Sequence, residues 1–199
     1  MLQPIPIVLV GPCVRMDPLE PHHVDELIAA VRSDPYSASK LASVLVTQDW
    51  DAWIAEAKLR VSTGHRVAWA IVRRADERMI GSTGFGDISA VDSCLAKGWT
   101  WLAPAARGGH TNAEVKLLQL RWAFETAGAV RVAFQPDSRD MRAKTAKRRV
   151  AERDGTFLAH RPPLDGPIRQ SAPFFIIAAD WEPLRAALSA RLNATGCGS

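Results

Sequence analysis

The chain is poor in the residues that mark specialised proteins. Only three of its 199 residues are cysteine (Cys13, Cys94 and Cys197), an odd count without metal-ligand spacing. They read as reduced thiols of a cytoplasmic protein, forming neither a disulfide framework nor a metal centre. Tyrosine occurs once, at Tyr36, so no other position can use a phenol for acid–base work. No apolar run approaches the roughly 18 residues that a membrane span needs. The opening Met1-Leu2-Gln3-Pro4 lacks a basic segment, so a signal peptide is not expected. No repeat or low-complexity tract is present. Neither charge sign dominates: 25 basic against 21 acidic residues leave +4, a surplus that suits an anionic ligand without pointing to nucleic acid.

What remains is an ordinary globular composition, 47% apolar and 23% charged, which excludes a disordered, collagen-like or coiled-coil chain. At this length we expect one domain over residues 1–192, with residues 193–199 as a flexible tail. Residues 6–16 read as a first strand. Residues 22–32 read as a helix on the spacing of Val24, Leu27, Ile28 and Val31. A polar loop over 33–46 leads to a second helix, capped by Thr47 or Asp49 and ended by Gly64. Residues 66–73 and 79–87 form a hairpin, and 95–102 a further strand. Beyond it come a helix over 112–127 closed by Gly128, a strand over 130–135, a helix over 139–151, strands over 156–161 and 172–178, and a closing helix over 181–192. A strand meander followed by crossover helices predicts an α/β protein with a mixed sheet flanked by helices.

The most informative junction joins the strand Gly98-Trp99-Thr100-Trp101-Leu102 to a helix through Ala103-Pro104-Ala105-Ala106-Arg107-Gly108-Gly109-His110-Thr111-Asn112. A strand entering a helix N-terminus through a glycine turn gathers free N–H groups at a positive dipole end, as a phosphate cradle requires. The same residues also suit a tight connection capped by Asn112. Walker and dinucleotide fingerprints are both absent.

These residues resemble the GNAT acyltransferases, in particular the RimJ/RimL-like branch. Val14-Arg15-Met16-Asp17-Pro18-Leu19 is similar to the family's opening strand, Met79-Ile80-Gly81-Ser82-Thr83-Gly84-Phe85 to its third and Gly98–Leu102 to its fourth. Arg107-Gly108 with Asn112-Ala113-Glu114-Val115-Lys116 is similar to its phosphate loop and following helix. The resemblance spans residues 7–192. It implies a twisted, mostly antiparallel sheet of about seven strands, with a V-shaped splay between the fourth (95–102) and fifth (130–135). It also implies a cytoplasmic acyl-CoA-dependent N-acyltransferase. Acetyl-CoA is then the co-substrate, with Trp99, Thr100, Trp101 and Leu102 along the pantetheine. Arg107, Gly108, Gly109, His110, Thr111 and Asn112 fall around the pyrophosphate, and Asp140 and Arg142 on the second crossover helix. The acceptor is a primary amine: a protein N-terminus, a lysine or a small molecule. The protein is a monomer or homodimer, with no metal and neither membrane nor nucleic acid as partner.

Three departures from the family pattern stand out. His110 stands where relatives carry glycine, Ala96-Lys97 where many carry an acid, and Asp140 and Ala143 where asparagine and a proton-donating serine are usual. Asp87 acting through water is the first choice of base, and His110 the second. The same departures motivate an alternative: a catalytically reduced relative that binds acyl-CoA or a protein partner. The basic run 142–149 reads as a solvated helix face, or as a contact from Arg142 or Lys147 to the CoA 3′-phosphate.

Overall fold

A computed structural model describes residues 2–32, 50–107, 109–134, 152–153, 157–161, 169–171 and 174–194. Ten strands and four longer helices follow in order: β1 (Leu9–Val10), β2 (Val14–Pro18), α1 (Val24–Arg32), α2 (Trp50–Ser62), β3 (Val67–Arg73), β4 (Arg78–Ser89), β5 (Cys94–Leu102), α3 (Thr111–Arg121), β6 (Arg131–Phe134), β7 (Glu152–Arg153), β8 (Phe157–Arg161), β9 (Arg169–Ser171), β10 (Phe174–Ile177) and α4 (Trp181–Ala194). The main sheet has eight strands in the order β1-β2-β3-β4-β5-β6-β10-β7, and β8 pairs with β9 separately. Every pairing is antiparallel except β5 with β6.

The sheet is covered on both faces, and β3 shows why. Its residues alternate large and small rather than apolar and polar: Val67, Trp69 and Ile71 point one way, Ala68 and Ala70 the other. The large residues join Phe85, Trp122, Val115 and Leu188 in the cluster beneath α3 and α4. The small ones meet Leu27 of α1, Trp53 and Ala57 of α2, and Trp101 in a second cluster.

The first strand expected over 6–16 is two strands, folded back with Leu9 opposite Met16. The break falls at Gly11-Pro12. A Cβ at Gly11 would collide with the buried Glu114 carboxylate, which accepts hydrogen bonds from the Cys13 and Val14 N–H groups at 2.9 and 3.0 Å. Tertiary packing thus cuts an apolar run that periodicity leaves whole. The helix after β5 begins at Thr111, one residue early, and its last turn, Trp122–Thr126, widens to a π-turn before Gly128 closes it at φ +77°. The helix expected over 139–151 lies outside the described residues.

The cysteines also depart from expectation. Cys94 is a free thiol, whereas Cys13 is disulfide-bonded to a partner outside the described residues. Tertiary proximity sets such a pairing, and cysteine spacing does not reveal it. Among the described residues no helix is long and apolar enough to cross a membrane.

Candidate functional site

The site follows from the two halves of β5. From Cys94 to Lys97 the strand pairs on both sides, with Leu95 opposite Val132 and Lys97 opposite Phe134 of β6. Among the described residues, Gly98 to Leu102 pair with β4, and the described part of β6 ends at Phe134. β5 and β6 are thus parallel neighbours over Cys94–Lys97, the pair of strands between which the sequence reading expects the splay.

β5 carries a bulge against β4 just after this stretch. Gly84 faces Gly98 and Ser82 faces Trp101, so β5 carries one residue more than β4 in between. Trp99 absorbs the excess at φ +50°, and backbone groups there are turned out of the regular ladder. The Trp99 ring lies on Gly86, where a Cβ would strike it. Thr100 and Thr83 share a hydrogen bond of 2.8 Å, and Lys97 Nζ donates to Thr100 Oγ1 at 3.2 Å. Lys97 lies in register with Phe85 and Phe134, on the α3 side; Ala96 lies in register with Gly86 and faces the other way. Trp101 is buried under α1 and α2.

β5 then runs through a short turn into α3. Arg107 Nε donates to the Leu102 carbonyl at 2.8 Å, tying the loop to the strand end. His110 occupies the N-cap position without a side-chain cap, and the first intrahelical bond runs from Glu114 N–H to its carbonyl at 2.9 Å. The N–H groups of Thr111, Asn112 and Ala113 therefore precede the helix ladder, at its positive end. The His110 imidazole turns toward β2: a ring nitrogen, Cys13 Sγ and a Glu114 carboxylate oxygen all lie within 4.8 Å of one another. The trio is no metal centre as it stands, because the Cys13 sulfur is committed to a disulfide. His110 and Thr111 also line a cavity of about 420 Å³ shared with Cys13, Arg73 and Arg74.

Asp87 sits at the other end. It is exposed, has φ +45°, and lies on β4 beside Gly86, at the level of Ala96. Six residues of β5 separate that level from Leu102, about 20 Å at the rise of a strand. Asp87 and His110 therefore cannot serve one reacting atom, and Asp87 is the one next to Gly86 and the Trp99 bulge. Gly108, Asp140, Ala143 and Arg142 lie outside the described residues.

Sequence reasoning missed Arg66, the residue before β3. It is 3% exposed, and its guanidinium lies 5.3 Å from the Trp53 ring centroid and 4.7 Å from that of Trp99. Burial pulls it down to about 10 from the usual arginine value. A lone arginine ahead of a strand carries no sequence signal.

The acetyltransferase (GNAT) domain model matches residues 14–155. A GCN5-related N-acetyltransferase from Brucella melitensis superposes with a TM-score of 0.82 at 21% identity, covering 96% of this chain and 88% of its own. A protein of T. thermophilus assigned as an acetyltransferase gives 0.77 at 29% identity, over 94% and 98%. Mycobacterium smegmatis RimJ, solved with CoA-disulfide, gives 0.73 at 14%, over 94% and 92%. No curated protein matches the sequence. A family pattern spanning residues 14–155, most of the sheet, makes this chain a GNAT acetyltransferase.

Proposed function

We propose that acetyl-CoA lies in the opening between β5 and β6 and that a primary amine attacks its thioester carbonyl directly. The observation that carries this reading is the course of β5: it runs parallel to β6 over Cys94–Lys97, takes the bulge at Trp99 and delivers its end to the N-terminus of α3. The edge of Gly98–Leu102 turned away from β4 suits a pantetheine amide chain. The N–H groups from Gly109 to Asn112 suit a pyrophosphate, with Gly108 completing the loop. His110 contributes backbone rather than its imidazole, which faces Cys13 and Glu114.

In the transfer, the amine nitrogen bonds to the carbonyl carbon and the carbonyl oxygen becomes an oxyanion. Collapse breaks the carbon–sulfur bond and expels the CoA thiolate. Backbone N–H donors at the Trp99 bulge stabilise the oxyanion, and alignment in the cleft supplies most of the rate. The ammonium must lose a proton before attack. Ala96 cannot take it, and Asp87 through a water is the base this reading assigns.

The test pairs two measurements. Isothermal titration with CoA should show micromolar binding, and thiol release from acetyl-CoA should follow addition of a peptide amine. Binding without thiol release would favour the binding-protein alternative; absence of both would overturn the reading.

A further inference from the structure

Among the described residues, Arg66 is a buried charge to which no carboxylate is bonded. Its backbone N–H bonds the Arg60 carbonyl at 3.0 Å, but among the described residues no carboxylate pairs with its side chain, and Nε is buried without a hydrogen-bond partner. Glu56, an acid that acts on it electrostatically, is bonded instead to Arg60 at 2.8 Å. The two nearby rings offer their faces and no acceptor. They return only part of what desolvating a guanidinium costs. Five N–H donors in one plane are built for a carboxylate, which they grip at two points.

The position gives this a meaning. Val67 is opposite Phe85, so Arg66 lies alongside Gly86, and Trp99 crosses above Gly86 at the bulge. The guanidinium is therefore one ring's width from the backbone that orients the reaction. It lies on the α1/α2 face, opposite to the face that α3 covers. On that face Arg66 is the buried cation among the described residues.

We propose that Arg66 receives an acidic group of the acyl acceptor, so that the preferred substrates are primary amines carrying a carboxylate close to the amine, with Trp53 and Trp99 holding the guanidinium for that contact. This rests on the acetyl-transfer reading of the cleft. The carboxylate can belong to an acidic side chain next to a peptide N-terminus or to a free amino acid.

The experiment compares acceptors that differ only in that charge. Amidated peptides beginning Ala-Glu and Ala-Gln separate the side-chain source, and free glutamate against its diamide separates the amino-acid source. Wild-type enzyme should favour one acidic member over its neutral twin at least tenfold in kcat/KM, mostly through KM. Arg66→Gln should lower the acidic acceptor's kcat/KM at least tenfold more than the neutral one's, and Arg66→Lys should keep part of the preference. Equal kcat/KM for both acidic and neutral pairs in the wild type would overturn the proposal. So would equal losses for both acceptors in Arg66→Gln, the result of a merely structural role. Tryptophan fluorescence titration with the same acceptors, without acetyl-CoA, covers the case of no turnover. Acid-selective quenching that Arg66→Gln abolishes would sustain the anion site while the transfer reading fell; unselective binding would overturn it.

Discussion

The two faces of the sheet are both buried, yet they are built by opposite means. On the α3/α4 face the sheet supplies the bulk: Trp69, Phe85 and Trp122 meet with centroids 5.0 to 6.1 Å apart, edge-on and stacked. On the α1/α2 face the sheet supplies space: Ala68, Ala70, Gly84 and Gly86 leave room that Trp53, Trp99 and Trp101 fill from outside. A face filled by its own strands is a core. A face left open by its own strands and roofed by rings from a helix and a bulged strand holds a buried cation, Arg66. The difference teaches where rigidity and where function were placed, and single substitutions can test it.

Trp122→Ala should have the largest effect. The ring is 1% exposed and touches both Trp69 and Phe85. Its loss should cost about 3–5 kcal/mol, read by chemical denaturation. A loss near 1 kcal/mol would mean the three rings are not a jointly packed unit.

Asp87→Asn tests the end of β4 beside the α1/α2 face through rate. If the carboxylate accepts the ammonium proton through water, thiol release should fall about a hundredfold, roughly 2.7 kcal/mol of barrier, with CoA affinity unchanged. Unchanged turnover would remove Asp87 from the reaction and leave the amine's own deprotonation to set the rate.

How much of this contrast the sequence disclosed depends on range. The Gly98–Leu102 strand, the loop after it and the order that sets 95–102 before 130–135 were legible, because each is a local pattern and their order is distinctive. The turn of His110 toward Glu114 was not, since Cys13, His110 and Glu114 meet only when β2 reaches α3. The break at Gly11 and the bulge at Trp99 have the same origin: both are register events forced by a neighbour. Arg66 was hidden for a further reason. Its context, Gly64-His65-Arg66-Val67, resembles any polar turn before a strand, and only Trp53 and Trp99, brought from 13 positions before and 33 after, make it unusual.

Gly86→Ala sharpens the comparison by filling the hollow face. The added Cβ would strike the Trp99 ring, which must move and take its contact with Arg66 along. Overpacking of this kind costs about 1–3 kcal/mol. KM for the amine should rise several-fold while CoA binding changes little. An unaltered KM would show that the ring's seat on Gly86 does not shape the acceptor side.

A smaller effect concerns how the hollow face is anchored. His23, just before α1, is buried, and its Nδ1 accepts the Glu20 N–H at 3.0 Å. Burial, followed by the charge of His22, holds it below its ordinary value of 6.5. With the folded value below the unfolded one, the unfolded chain binds more protons between them, so stability rises with pH through this window. The contribution is complete above about 6.5 and is lost as pH falls through the lowered value. Melting temperature should therefore drop more steeply from pH 7 to 5 in the wild type than in His23→Asn, by a few degrees. Parallel curves would dissociate His23 from the acid sensitivity.

The smallest effect should run in the stabilising direction. Gln119 on α3 is fully buried, and neither its amide oxygen nor its nitrogen has a hydrogen-bond partner among the described residues. Gln119→Met keeps the length of the side chain and removes two unpaired polar groups from the α3/α4 core. The expected change is between zero and about +1 kcal/mol, with CoA binding and turnover untouched. Arg66→Met is the matching change on the other face, where an unpaired cation gives way to an apolar chain, and it too should stabilise or be neutral. The pair breaks the symmetry between the faces: both substitutions relieve an unpaired buried group, but only the second should erase selection for acidic acceptors. A destabilised Gln119→Met would mean that the amide holds a partner the core needs. A stable Arg66→Met enzyme with intact acid selectivity would return Arg66 to the role of a structural residue, leaving the hollow face no more specialised than the full one.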